Sequence, residues 1–242
     1  QRGYPLVSAS VSEDGSTIYL EQDRFLYTHD EVTDATVWSV PVVLKVGSGS
    51  QVSEIRYLLE ERSSDVKLDS PADWVVVNAG GSGFFRARYT KGMLKSVSRD
   101  MFSNLTSVER YGLVDDTWSS VMAGRTSAED FLEFARSFHL ETDLDVWTVL
   151  SGCLSGLEKL VEGEAENHYK AVVRDLAQPG LDRLGWEPGE TDSPRDLELR
   201  GLFIRLLANV GDDDLAQDNA RDLHDSYLRD AGSVEPNMAA AV

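Results

Sequence analysis

Three glycines stand within four residues in the segment "WVVVNAGGSGFFRARYT", Trp74 to Thr90, directly after a run of valines. Such a loop cradles a phosphate when a helix follows it, because the free N–H groups and the dipole of the helix N-terminus hold the anion. Here the residues after Gly83 alternate instead. Phe84, Arg86 and Arg88 fall on one side of an extended chain and Phe85, Ala87 and Tyr89 on the other, the period of a strand. No G-x-x-x-x-G-K-[ST] string occurs anywhere in the chain. With Val75 to Val77 read as the partner strand, the glycines are predicted to form a hairpin loop that uses positive φ.

The other reactive residue types are scattered. His29, His139, His168 and His224 are the four histidines, none in H-E-x-x-H and no two of them four apart, so the common helical zinc site is not encoded. Glu164 and His168 share a helix face at i, i+4, half of a metal site at most. His139 closes the helix before "HLETD", where a cation suits the C-terminal dipole. Cys153 is the single cysteine, has no histidine near it in sequence, and is expected to pack as a small apolar residue. No G-x-S-x-G elbow is present to activate a serine. The acidic run "GDDDLAQD", residues 211–218, has the composition of half a calcium loop but lacks the bidentate Glu at loop position 12, and reads better as an acidic helix start.

Elements that would position these residues fall into two classes. Residues 4–90 contain eight short extended runs, "PLVSASVS", "TIYLEQ", "RFLYTH", "ATVWSVPVVLKV", "SEIRYLLEE", "SDVKLD", "WVVVN" and "FFRARYT", separated by turn clusters. Seven or eight strands without helical spacing between them point to an antiparallel β-sandwich. Pro41 suggests an edge position or a bulge, since proline cannot donate to the ladder.

After Thr90 the spacing becomes i, i+3, i+4. Helices are predicted through "KGMLKSVSRD" and through "SVERYGLVDDTWSSVMAG", with Leu113, Val114, Trp118, Val121 and Met122 on the apolar side of the latter. The next is capped at Thr126 with Glu129 and carries Phe131, Leu132, Phe134, Ala135 and Phe138. Another begins at Thr142 and carries Val146, Trp147, Leu150, Leu154, Leu157 and Leu160. Three more are predicted at "NHYKAVVRDLA", at "SPRDLELRGLFIRLLANV" with Ser193 as N-cap and Pro194 at N1, and at "DLAQDNARDLHDSYLRDAG". The expected organisation is therefore α+β and multidomain: a β-sandwich over residues 1–90, then an all-α, helical-pair (HEAT-like) domain over 91–242. The short junction near Thr90 predicts that the two halves pack rigidly together.

Charge narrows the partners. With 23 basic and 42 acidic residues the net charge is −19, which repels nucleic-acid backbones and anionic lipid. No apolar run approaches a membrane span of roughly 20 residues. A lone cysteine favours a reducing, cytoplasmic setting, and the sequon "NLT" at Asn104 would be a glycan acceptor only in a secreted chain. The opening "QRGYP" and closing "NMAAAV" read as cut from something longer.

Several of these stretches together resemble one family. "GYP" at Gly3 to Pro5, "QDRF" at Gln22 to Phe25, "VWSVPV" around Trp38 and Pro41, and "WVVVN" followed by "GFFRARY" resemble, in that order, the β-sandwich domain of aminopeptidase N-type zinc metallopeptidases. Asn78, Gly83, Arg86 and Tyr89 are the most specific positions. The helical half is similar through Arg110 and Asp116 in "ERYGLVDD", Glu141 and Trp147 in "ETDLDVW", "LRGLFIRLL" and "VEPNM". In the family the helical domain is usually longer, which implies that this chain stops partway through it.

The resemblance implies a parent enzyme that removes N-terminal residues from peptides. The family's catalytic domain precedes the sandwich, and its H-E-x-x-H, its downstream Glu and its G-x-M-E-N segment match nothing here. No catalytic, metal or cofactor-binding residue is carried over, and zinc is expected in the parent only. The implied partners are the parent's catalytic domain and peptide substrates, with the fragment as scaffold and lid over the cleft, itself inactive. The alternative is a stand-alone adaptor that binds a peptide or protein.

Overall fold

A computed structural model describes residues 3–28 and 35–241. The chain forms two compact units, Gln1–Phe134 and Ala135–Val242.

The first unit opens with seven strands among the described residues: β1 (Tyr4–Val11), β2 (Thr17–Phe25), β3 (Val40–Ser48), β4 (Gln51–Leu59), β5 (Ser63–Lys67), β6 (Trp74–Val77) and β7 (Arg86–Arg88). They make a four-stranded sheet in the order β5-β2-β1-β7 and a three-stranded sheet in the order β4-β3-β6. The buried residues alternate along β2 (Ile18, Leu20, Gln22) and β3 (Val40, Val42, Leu44, Val46), while β1 buries Pro5, Leu6 and Val7 in succession and then Ala9. That alternation is why these β-branched and aliphatic runs form half-buried strands. The sandwich is antiparallel except at one place, where β7 runs parallel to β1 with Ala87 opposite Val7.

Three strand expectations change. The runs "TIYLEQ" and "RFLYTH" are one strand as far as Phe25, and Gln22 at the end of the first run is fully buried and used. Its Nε2 donates to the carbonyls of Trp38 and Glu61, both at 2.9 Å, and its Oε1 accepts the Trp38 N–H at 2.9 Å. Next, β6 and β7 are not a hairpin. β6 pairs with β3 and β7 with β1, so the glycine loop crosses from one sheet to the other. Finally, Pro41 lies in the central strand of its sheet, but β6 pairs only with Leu44–Gly47, so β3 has a single partner at Pro41. At the other end of that ladder Gly47 faces Trp74, and a Cβ on Gly47 would stand 2.1 Å from the indole.

Helices begin at α1 (Lys91–Val97), separated from β7 only by Tyr89 and Thr90, with the Thr90 side chain accepting the Met93 N–H. Then come α2 (Met101–Asn104), α3 (Ser107–Met122) and α4 (Ala128–Ala135). α1 packs on β6, and α3 packs on β7. The apolar face assigned to α3 is only partly the buried one. Leu113 and Val114 are buried, but Met122 is 50% exposed, and the remaining buried positions are Glu109, Asp116, Thr117, Ser119, Ser120 and Ala123. The start of α4 is also shifted by one residue, since Asp130 N–H donates to Ser127 Oγ rather than to Thr126.

The second unit holds α5 (Leu144–Glu158), α6 (Glu164–Leu184), α7 (Pro194–Arg205), α8 (Asp214–Arg229) and α9 (Pro236–Ala239). α7 packs against both α5 and α6. Asp143 rather than Thr142 caps α5, and Leu160, expected in the core, lies beyond the helix end at 67% exposed. α6 runs past Ala177 through Pro179 to Leu184. Ser193 and Pro194 open α7 as N-cap and N1, with Asp196 completing a capping box. The end of α7 widens into a π-turn at Leu206–Val210. No described helix is long and apolar enough to cross a membrane.

Candidate functional site

In the first unit the glycine loop is the natural place to look for a ligand, and its geometry explains why none is needed to hold it. Asn78 sits at φ 67° in the left-handed region, with Gly80 and Gly81 at φ 69° and 66° behind it. The Asn78 amide closes the loop on itself, accepting the Gly83 N–H at 2.7 Å and donating to the Gly83 carbonyl at 3.1 Å. Gly83 has no room for a side chain, because a Cβ there would lie 2.3 Å from the Phe85 ring. The Gly80 N–H, which a phosphate would otherwise attract, donates to Glu109 Oε1 at 3.2 Å. The anion at this loop is thus a carboxylate of the same chain.

Glu109 is the hub of that contact. It is the third residue of α3, and its Oε2 accepts the Thr106 N–H at 2.8 Å while Thr106 Oγ1 accepts the Glu109 N–H at 3.3 Å. Lys45, from the outward face of β3, adds an ion pair at 3.0 Å. Burial works against the charge, but the Thr106 N–H, Lys45 and the Gly80 N–H outweigh it, and the carboxyl is held below its usual range.

Two turns along α3, Asp115 and Asp116 meet Arg86 of β7. The Arg86 guanidinium pairs with Asp115 and, at 3.1 Å, with Asp116, and its Nε donates to the Tyr4 hydroxyl at 3.3 Å. Asp116 also accepts the Ala87 N–H at 3.1 Å, so α3 is tied to both the side chain and the backbone of the strand. Burial pushes the Asp116 carboxyl up to about 7, against the pull of Arg86 and the Ala87 N–H, and Asp115 adds repulsion. A carboxyl titrating near neutrality is what a general acid or base needs, but here its hydrogen-bonding capacity goes to Arg86 and Ala87. Tyr89 does the same for the opposite sheet. Its buried hydroxyl donates to the Val77 carbonyl at 2.8 Å and accepts the Val77 N–H at 3.0 Å, linking the two ends of the loop, and burial raises its pKa. Arg110 donates to the Leu105 carbonyl at 2.8 Å with its guanidinium over the Phe102 ring.

In the second unit the motif residues are likewise turned inward. Glu141 Oε1 accepts the N–H groups of Thr142 and Asp143, each at 2.9 Å, and the Glu141 carbonyl accepts the Trp147 indole N–H at 2.8 Å. The indole is fully buried and meets Phe203 edge-on at 4.7 Å. Arg200 is the residue that sequence reasoning missed. Completely buried, it donates to the carbonyls of Leu184 and Gly185 at the end of α6 and to Asp192. The signal was a cation inside the apolar run "LRGLFIRLL" of α7, a run that also holds Arg205. Glu109 was also readable, since "TSVE" has the capping-box spacing.

The residues weighed for metal or nucleophilic chemistry stay apart. His29 lies outside the described residues. His139 is exposed, with Nδ1 3.2 Å from the Arg136 carbonyl. Glu164 and His168 are exposed on the first turns of α6, and Cys153 is buried in α5. In the acidic run, Asp212 pairs with Lys170 at 2.9 Å and Asp213 accepts the Ala216 N–H at 2.9 Å as the N-cap of α8. His224 borders a cavity of about 450 Å³ with Ala208, Asn209, Gln217 and Arg221 beside the π-turn. Among the described residues no three His, Cys, Asp or Glu side chains converge to hold a metal ion. The donor set therefore does not fit zinc, and no step of peptide hydrolysis is assigned to these side chains.

Comparison with known proteins gives this architecture a family. Residues 74–242 match the family model of the ERAP1-like C-terminal domain. The whole chain aligns at 27% identity with a puromycin-sensitive aminopeptidase of Caenorhabditis elegans, of which it covers 26%. Aminopeptidase M1 of Arabidopsis thaliana is 30% identical over 95% of the chain, which covers 28% of that protein. Tricorn protease-interacting factor F2 of Thermoplasma acidophilum is 28% identical over 90% of the chain, again with 26% of its own length covered. The chain thus spans about a quarter of the length of these relatives.

Proposed function

Because the chain belongs to the ERAP1-like C-terminal domain family, we propose that it is the non-catalytic frame and lid of a zinc-dependent aminopeptidase that releases N-terminal residues from peptides in the cytoplasm. The zinc and the reacting groups belong to a catalytic domain elsewhere in the parent. The sandwich and the helices supply a rigid support and a wall that admits flexible peptides, a task of shape and a few polar groups. One observation carries the reading. The residues by which the sequence resembles the family, Asn78, Arg86, Tyr89, Asp116, Glu141 and Trp147, make hydrogen bonds inside their own unit.

The test has two parts. Purified chain, assayed with an aminoacyl anilide in the presence of zinc, is expected to release no chromogenic amine, and steady release would overturn the inactive-frame reading. The reading frame upstream of Gln1 is expected to continue into an H-E-x-x-H segment. A start codon directly before Gln1 would instead favour the adaptor.

A further inference from the structure

β4 is the longest of the four strands that lie at a sheet edge, nine residues against five or fewer for β5, β6 and β7. Its inner side pairs along its whole length with β3, from Gln51 opposite Ser48 to Leu59 opposite Val40. Among the described residues no strand pairs with its outer side, so a row of backbone N–H and C=O groups is left to solvent. One face is open as well: Val52 is 48% and Leu58 52% exposed, and Glu54 and Arg56 between them on that face are exposed too, while Ile55 and Tyr57 on the other face are half-buried and Leu59 is buried. Natural edges of this length are usually blunted by a proline, a bulge or like charges. This one carries two opposite charges placed symmetrically about Ile55.

We propose that the outer edge of β4 is a self-association surface, on which a second copy of this chain adds its own β4 antiparallel with Ile55 opposite Ile55. The register follows from the sequence "QVSEIRYLL". Centred on Ile55, an antiparallel pair sets Glu54 opposite Arg56 twice and Val52 opposite Leu58 twice, all on one face, while Ser53 meets Tyr57 on the other. Directly opposed side chains in an antiparallel pair are in contact, so both ion pairs and both apolar pairs form. A slip of two residues in either direction, the smallest that keeps the two-fold axis, puts Glu54 against Glu54 or Arg56 against Arg56. Charge therefore selects a single register, and the two-fold axis makes the contact closed rather than fibrous. The extended backbone fixes the occupant as a strand, and the palindromic V-x-E-x-R-x-L order fixes that strand as this one.

The net charge of −19 on each copy opposes the encounter at low salt, so the measurement belongs near physiological ionic strength, where the Debye length is about 8 Å. Sedimentation of the 242-residue chain over a concentration series is expected to show a monomer–dimer equilibrium. E54R and R56E are each expected to weaken it by about tenfold, because two attractive pairs become repulsive. E54R reduces the overall negative charge by two, so weakening by it cannot come from long-range repulsion. An equimolar mixture of the two variants restores both ion pairs and should recover dimer, as should the double variant E54R/R56E. A chain that stays monomeric throughout, a dimer indifferent to both substitutions, or a mixture no tighter than either variant alone would each overturn the proposal.

Discussion

Asp116 on α3 and Trp147 on α5 are both buried, and the buried contacts that hold the two helices differ in kind. α3 meets its sheet through charge: Arg86 with Asp115 and Asp116, Lys45 with Glu109, and two backbone N–H groups, those of Gly80 and Ala87, aimed at carboxylates. α5 meets α7 through aromatic and aliphatic surface in its buried part, Trp147 edge-on to Phe203, with one exposed ion pair, Arg195 to Asp145 at 2.9 Å, at the rim. A sheet edge and a loop present backbone donors that must be satisfied, so the helix that covers them has to bring acceptors. Helix against helix leaves few such donors, and ordinary apolar packing suffices.

The contrast can be broken most severely at Trp147. W147A is expected to cost about 3–5 kcal/mol, read as a lowered denaturant midpoint, and that loss should be the same at pH 5 and pH 8. R86A leaves two carboxylates without their cation and is expected to cost about 3 kcal/mol, more at pH 8 than at pH 5. A loss equal at both pH values would remove the electrostatic account.

Asp116 sharpens the point. Its folded-state pKa is about 7 against an ordinary 3.8, so the folded protein binds that proton more tightly than the unfolded chain. The contribution is full below pH 3.8 and is lost as pH rises through about 7. Between those limits the stability of D116N relative to the unsubstituted chain should improve by on the order of 3 kcal/mol, which paired melts across the range would register. A constant difference would mean that Asp116 ionises normally. S193A removes the cap of α7 and is expected to cost about 1 kcal/mol. M122S, at a half-exposed position where a helical apolar face was expected, should fall within about 0.5 kcal/mol.

The same contrast separates what was legible in the sequence from what was not. Phe131, Phe134, Phe138, Val146, Leu150 and Leu157 follow helical spacing and are buried where that spacing puts them. Ser193, Pro194 and Asp213 mark helix starts by local chemistry alone. The hairpin failed because alternation identifies a strand but says nothing about its partner, and β6 and β7 each pair with a strand at least 26 residues away in sequence. The face of α3 was legible only at Leu113 and Val114, because its partners include a loop and a strand backbone and its other buried positions are Glu109, Asp116, Thr117, Ser119 and Ser120. Met122 and Leu160 continue the helical spacing of their apolar faces but stand at the last residue of α3 and beyond the end of α5, where both are exposed. Arg200 showed only as a cation in an apolar run, because the carbonyls that it satisfies, at the C-terminal end of α6, carry no mark in the sequence.

The family residues were legible as a pattern before their roles were. Gln22, Asn78, Arg86 and Tyr89 could be placed in order along the chain. That each is a tie between backbone segments became apparent only with the partners in view.

Glu109 keeps the glycine turn permanently occupied, with Lys45 close behind it. Shortening that one side chain to alanine would strip the turn of its built-in counterion and leave the Gly80 and Thr106 amides and the Lys45 ammonium without their carboxylate. A receptor for small oxyanions thus lies a single substitution away from what is now a structural rivet.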